Sequence, residues 1–296
     1  MLMKMTPVAM GCKSFAKGAL YVFQSTVNDT SALTVANAFV AARRAAAPVF
    51  EYPGRRPATL TEAYQIQDEA IALWQDALLG WKVGRIHSPD AERLGTDRLI
   101  GPIFASSVLE AFDPLTAATV HEMAVFTEGF AAVEGEYLVR IAADAPAGKL
   151  DWSLEEAHAM IGGVHVGLEI ASSPYARINV DGPLVTISDF GNNAGLIVGP
   201  AFEGWRRFDL ADWSVETQID GASKGQGTAS GLPGGPLASL QAALAIAASR
   251  GRPLQAGLWI STGAVSGVHE ARPGMTARVS FQNGGYQLSC RLRAAV

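Results

Sequence analysis

The sequence predicts an α+β protein with a mixed β-roll or sandwich core and a helical layer on its N-terminal side. Up to Gly80 the apolar residues keep helical spacing, whereas beyond it they fall into short runs broken by Gly, Pro, Asp and Ser. Those runs do not alternate regularly with helices, which argues against a doubly wound sheet, and no repeat is visible that would indicate a solenoid. Three regions are expected: a poorly ordered extension at 1–30, a helical region at 31–80 and a β-rich domain at 81–296.

In the extension, Lys4, Lys13 and Lys17 precede the first acid, Asp29. The apolar stretch Gly18–Phe23 is too short for a secretory signal, and the arginines of a transit peptide are missing. Residues 31–50 set Leu33, Ala36, Phe39 and Val40 along one helical stripe, which Pro48 stops. Thr59 and Glu62 stand at capping-box spacing ahead of a second amphipathic helix. Its face carries Ala63, Ile66, Ala70, Leu73, Trp74 and Ala77, and it is expected to end near Gly80.

Strands are expected at 81–86, 101–109, 131–141, 165–173, 184–188, 195–199, 214–220, 257–265 and 277–281. The run Gly285–Arg293 alternates Tyr286, Leu288, Cys290 and Leu292 with Gln287, Ser289, Arg291 and Arg293, as a strand with one buried face does. Two helices interrupt this region, one capped by Ser153 with Glu156 and one opened by Pro236 and ending at Arg250-Gly251. The glycine-rich stretch Gly221–Gly235 is expected to be a turn followed by a loop.

Composition narrows the function. Hydrophobic residues make up 49% of the 296 and charged residues 17%, which is a folded chain. Its net charge of −5, without a basic stripe, speaks against nucleic acid, so an anionic ligand would need a local cation. The cysteines, Cys12 and Cys290, form no disulfide framework or zinc motif and fit a reducing cytoplasm. No apolar run approaches the roughly 20 residues that span a bilayer.

The chemistry gathers on four residues. Glu134 and Glu136 lie two apart in the apolar run Ala131–Ile141, on one face and about 6–7 Å apart along the strand, with Gly135 between them expected to keep the backbone open. Alone they could be a solvent-facing stripe. Glu169 sits between Leu168 and Ile170, where a buried charge needs a partner or a metal. Three carboxylates without a thiolate or imidazole at ligand spacing favour a hard divalent cation, Mg²⁺ or Mn²⁺. Lys82, between Trp81 and Val83, is either a snorkelling lysine or a proton shuttle whose pKa falls beside such a cation. None of the five histidines, His87, His121, His158, His165 and His269, stands in a nucleophile or metal motif. Gly225-Gln226-Gly227 lacks the rest of a phosphate loop, and there is no G-x-S-x-G elbow.

From about Ser31 onward the chain resembles the fumarylacetoacetate hydrolase superfamily, in particular its branch of 2-keto-4-pentenoate hydratases and 4-oxalocrotonate decarboxylases. The likeness rests on Ala63–Gln67, Gly80–Gly84, Val133–Glu136, Gly167–Ser173, Thr186–Gly199, Gly231–Leu237, Ile260–Val265 and Arg272–Met275. It implies that superfamily's mixed β-roll, with 81–296 as catalytic domain. It also implies Glu134, Glu136 and Glu169 as metal ligands, Lys82 as catalytic residue, and Asp189, Asn192 and Thr262 as substrate-binding residues. The implied activity is that of a lyase on a small unsaturated 2-oxo acid in aromatic catabolism. Hydration comes first, with decarboxylation, C–C bond hydrolysis or non-catalytic binding as alternatives. Assembly as a homo-oligomer, with a partner decarboxylase, is implied too. The chain departs from the pattern at Asp97–Gly101, which lacks the aspartate of the hydratases' P-D-F-G turn, at Ser172-Ser173-Pro174, and at Ser188–Asn192.

Overall fold

The structure, a computed structural model, describes residues 29–113, 117–207 and 209–296, so the expectation for most of the 1–30 segment, Cys12 included, lies outside the described residues. Helices α1 (Asp29–Arg44) and α2 (Leu60–Trp74) pair through Val35, Ala36, Phe39 and Val40 against Ile66 and Ala70. Leu33 departs from the expected stripe and is 41% exposed, since Val35 takes its place on the buried face. Thr59 accepts a hydrogen bond from the Glu62 amide at 3.2 Å, while the Glu62 carboxylate reaches the Ala58 amide at 2.7 Å. The helix stops at Trp74, earlier than expected, because Gln75 turns left-handed (φ 57) and the chain enters β1 (Leu78–Arg85). Gly80 is therefore a strand residue, and a Cβ there would lie 2.3 Å from the carbonyl oxygen of Trp259.

Among the described residues eight strands form the first sheet, in the order β2 (Arg98–Phe104), β1, β10 (Trp259–Ser261), β5 (Phe130–Ile141), β6 (Ile161–Ser173), β7 (Asn193–Ala201) and β3 (Val108–Glu110), with β11 (Val268–Glu270) also pairing β5. Five form the second: β4 (Val120–Val125), β13 (Tyr286–Ala294), β12 (Thr276–Phe281), β8 (Ser214–Ile219) and β9 (Ala222–Thr228). Three of these, β4, β9 and β11, had no counterpart among the expected strands. β9 occupies the stretch expected to be turn and loop: Gly225 and Gly227 are there because a Cβ would lie 2.4 Å from the Ser266 carbonyl oxygen or 2.1 Å from that of Val265. The 184–188 run, expected as a strand, is a helix (Pro183–Ser188) that starts on a proline at its first turn and buries Leu184, Val185 and Ile187. The Ser153–Glu156 capping box is complete, and helix Gly235–Ser249 begins within the Gly231–Leu237 motif, one residue before the expected Pro236.

The two sheets face each other through Val133 and Tyr137 of β5 against Val215, Val279 and Phe281. Gly135 serves that contact: a Cβ would stand 2.6 Å from Val215 and from Val279, so the glycine lets the second sheet approach the strand that carries the two glutamates. On its other face the first sheet curls. Ile103 of β2 packs with Leu196 and Val198 of β7, near the opposite end of the strand order, together with Leu138 and Trp259.

Candidate metal centre

Strand parity sends Glu134 and Glu136 to the concave face, beside Leu138, and antiparallel pairing sets Glu169 of β6 directly opposite Glu134. One carboxylate oxygen from each of the three glutamates lies within 4.8 Å of the others, and all three side chains are buried. β1 brings in Lys82, whose register partner on β10 is Ser261, and its Nζ lies 3.3 Å from Glu169 Oε1.

Glu136 and Glu169 are each half satisfied. Asn193 Nδ2 donates to Glu169 Oε1 at 3.0 Å, and the Gly263 amide donates to Glu136 Oε2 at 2.9 Å, joined there by the Ser261 hydroxyl. Glu136 Oε1 and Glu169 Oε2 are buried with no hydrogen-bond partner among the described residues. Buried unpaired oxygens of this kind are costly, and a cation that takes oxygen ligands is the chemical group that would satisfy them. Burial pushes the Glu134 carboxyl up to about 7, against the pull of Lys82, and pushes Glu136 well above the carboxylate range, aided by Glu169 and Glu134. Burial alone would lower the Lys82 ammonium, but Glu169, Glu134 and Glu136 outweigh it and hold the group charged.

A cleft of about 1030 Å³ opens over this cluster, the size of a small-molecule site. Lys82, Glu134, Asn192 and Thr262 line it, while Glu136 and Glu169 are wholly buried. Asn192 adopts a left-handed conformation (φ 67), and its Oδ1 is buried without a partner. The Thr262 hydroxyl donates to the Tyr137 carbonyl at 2.7 Å, which leaves its oxygen able to accept. Asp189, expected as a substrate-binding residue, is not among the residues that line the cleft. Both its oxygens are taken by Arg43, at 2.5 and 2.9 Å, and Ser173 adds a hydroxyl bond at 2.6 Å.

His87 lines the cleft, but His165 sits four residues from Glu169 along β6, about 13 Å by strand rise, against Phe112 and Trp259. Sequence reasoning missed Asn193, Ser261 and the Gly263 amide, the groups that orient the carboxylates. Their signal was adjacency, since each neighbours a residue already singled out, Asn192 or Thr262.

No family model matches the chain. A curated 4-oxalocrotonate decarboxylase from a Pseudomonas species is 32% identical over 132 residues, 44% of this chain and 50% of that protein, so the match spans about half that relative's length. Among solved structures, 4-oxalocrotonate decarboxylase from Pseudomonas putida G7, complexed with magnesium and adipate, superposes with a TM-score of 0.73 at 19% identity, covering 90% of this chain and 99% of that one. Fumarylpyruvate hydrolase from Pseudomonas aeruginosa, in complex with Mn²⁺ and pyruvate, gives 0.50 at 18% identity over 73% of this chain and 89% of that one. The fold, with its curled mixed sheets, is the fumarylacetoacetate hydrolase type expected from the sequence. The curated match adds that about half of the chain is similar in sequence to a 4-oxalocrotonate decarboxylase. Among the described residues no helix is long and apolar enough to cross a membrane.

Proposed function

We infer that this chain is a divalent-cation-dependent lyase acting on a small unsaturated 2-oxo acid, with Glu134, Glu136 and Glu169 holding Mg²⁺ or Mn²⁺ and Lys82 moving the proton. The observation that carries the reading is the set of three buried carboxylates within 4.8 Å of one another, two with an unpartnered oxygen, under a small-molecule cleft. A bound cation would supply a Lewis acid that polarises the 2-oxo group and binds the adjacent carboxylate.

The chain's own residues do the rest. The ammonium of Lys82 stays charged beside Glu169, so it offers a positive charge and a proton at the cleft floor. Asn192 and Thr262 offer acceptor oxygens to a substrate hydroxyl or water, and the Arg43 pairing supports a role for Asp189 in holding the site rather than in touching substrate.

Decarboxylation is the first reading, supported by the decarboxylase names of the curated match and of the 0.73 neighbour. It is supported too by the chain's lack of the hydratases' turn aspartate at Asp97–Gly101. The bond to the distal carboxylate breaks, carbon dioxide leaves, its electron pair passes through the conjugated system to the 2-oxo oxygen, and Lys82 stands where a proton is returned. Hydration, the first expectation from the sequence, is the second reading, under which the chain would work beside a partner decarboxylase. Either activity fits a cytoplasmic homo-oligomer in aromatic catabolism.

Incubation with 2-oxohex-3-enedioate and Mg²⁺, followed by NMR, separates them: loss of carbon dioxide is expected. Water addition to 2-hydroxypenta-2,4-dienoate without decarboxylation would favour hydration, and no turnover of either would remove the lyase reading.

A further inference from the structure

We propose that Arg43, at the end of the N-terminal helix, is a positioning residue that clamps the turn Phe190–Asn192 and through it orients Glu169 and Lys82. This inference rests on the reading of the three glutamates as a cation site.

The guanidinium is 5% exposed and grips both ends of the turn. Ahead of the turn, Nε donates to Asp189 Oδ1 at 2.5 Å, and Nη2 to Asp189 Oδ2 at 2.9 Å and the Asp189 carbonyl at 3.4 Å. Behind it, Nη1 donates to the Asn193 carbonyl at 3.0 Å, and Nη2 reaches the Ser172 carbonyl at the end of β6 at 3.1 Å. Between these ends the cation lies over the Phe190 ring, 5.0 Å from its centroid, and on another side over Phe126 at 5.5 Å. A planar fork with five donors and a stacking face can do all of this at once, which a lysine cannot.

The turn needs such a clamp. Phe190, Gly191 and Asn192 are consecutively left-handed, at φ 54, 62 and 67, a costly conformation for the two residues with side chains that persists only where the surroundings over-determine it. It also touches the site at two points. Gly191 packs against Lys82, so closely that a Cβ would lie 3.3 Å from Lys82 Cδ and 2.8 Å from the Gly101 backbone. Immediately after the turn, Asn193 donates to Glu169 Oε1. A helix outside the sheet thereby sets the lysine stem and one carboxylate.

The test uses Mn²⁺ titration without substrate, together with hydrogen exchange. Arg43→Lys should keep native circular dichroism, speed exchange over residues 189–193 about tenfold, and weaken Mn²⁺ about tenfold, in the range seen for residues that orient ligands. Arg250→Gln is the control for general loosening. It breaks a similarly buried arginine tether, to Asp68, and should lower the melting temperature while leaving Mn²⁺ affinity within twofold. Ser173→Ala, which deletes the hydroxyl bond to Asp189 together with the acceptor of the Tyr175 amide, is a milder probe should Arg43→Lys not fold, and should weaken Mn²⁺ about threefold. Unchanged Mn²⁺ affinity in the folded variants, or an equal loss in Arg250→Gln, overturns the proposal. A wild-type chain that binds no Mn²⁺ overturns the cation reading instead, and the clamp then stands or falls on exchange at the turn.

Discussion

The concave face of the eight-stranded sheet has two ends that share β5 and are opposite in kind. At one end Leu138, Trp259, Ile103, Leu196 and Val198 close a dry cluster; at the other, one step back along β5, Glu136 and Glu134 meet Glu169 and Lys82. Both ends are buried, so water does not explain the charges. The apolar end gains stability from burial, whereas the charged end loses it, with two carboxylates pushed toward their neutral forms and two oxygens unpaired. A fold that retains such an end has a use for it other than cohesion.

The largest expected effect is at the charged end. Lys82→Met should lower turnover by about 10²–10⁴-fold, the range of a lost proton-transfer group, with Mn²⁺ still bound. Steady-state rates beside a metal titration check this, and full activity would dismiss the lysine.

The apolar end should answer in stability instead. Leu138→Ala removes a fully buried side chain and should cost about 2–5 kcal/mol in a urea melt, with Mn²⁺ affinity little changed. Equal losses of affinity at both ends would erase the distinction between them.

The smallest effect has the opposite sign. In metal-free protein Glu136→Gln should stabilise by about 1 kcal/mol, because the amide keeps an acceptor for Ser261 and Gly263 and turns the unpartnered oxygen into a donor toward the neighbouring carboxylates. A lower melting temperature for that variant would show that the charge is paired after all.

Much of the charged end was legible because cost is legible: an acid between Leu168 and Ile170, or two acids within Ala131–Ile141, stands out against the strand pattern. The capping residues Thr59 and Ser153 and the alternation before the C-terminus were legible for the same local reason. What escaped depends on long-range approach. Gly135, Gly225 and Gly227 are required by backbones and side chains far away in the sequence. The 184–188 run was too short for periodicity to separate helix from strand, and tertiary burial decided it. Arg43 beside Arg44 reads as an ordinary basic helix end, yet its partner Asp189 is 146 residues away.

The account turns on whether the three glutamates share one cation, and Mn²⁺ titration of wild type and Glu169→Gln between pH 5 and 8 addresses that directly. Burial raises the Glu134 carboxyl to about 7, above its unfolded value, so the metal-free fold is favoured by its protonation at low pH and loses that contribution as pH rises through 7. Binding must expel that proton and the one that burial holds on Glu136, so affinity should fall at least tenfold for each unit below pH 7. One ion per chain, bound with proton release and at least tenfold more weakly by Glu169→Gln, is the predicted result. Affinity indifferent to both pH and that substitution would contradict it.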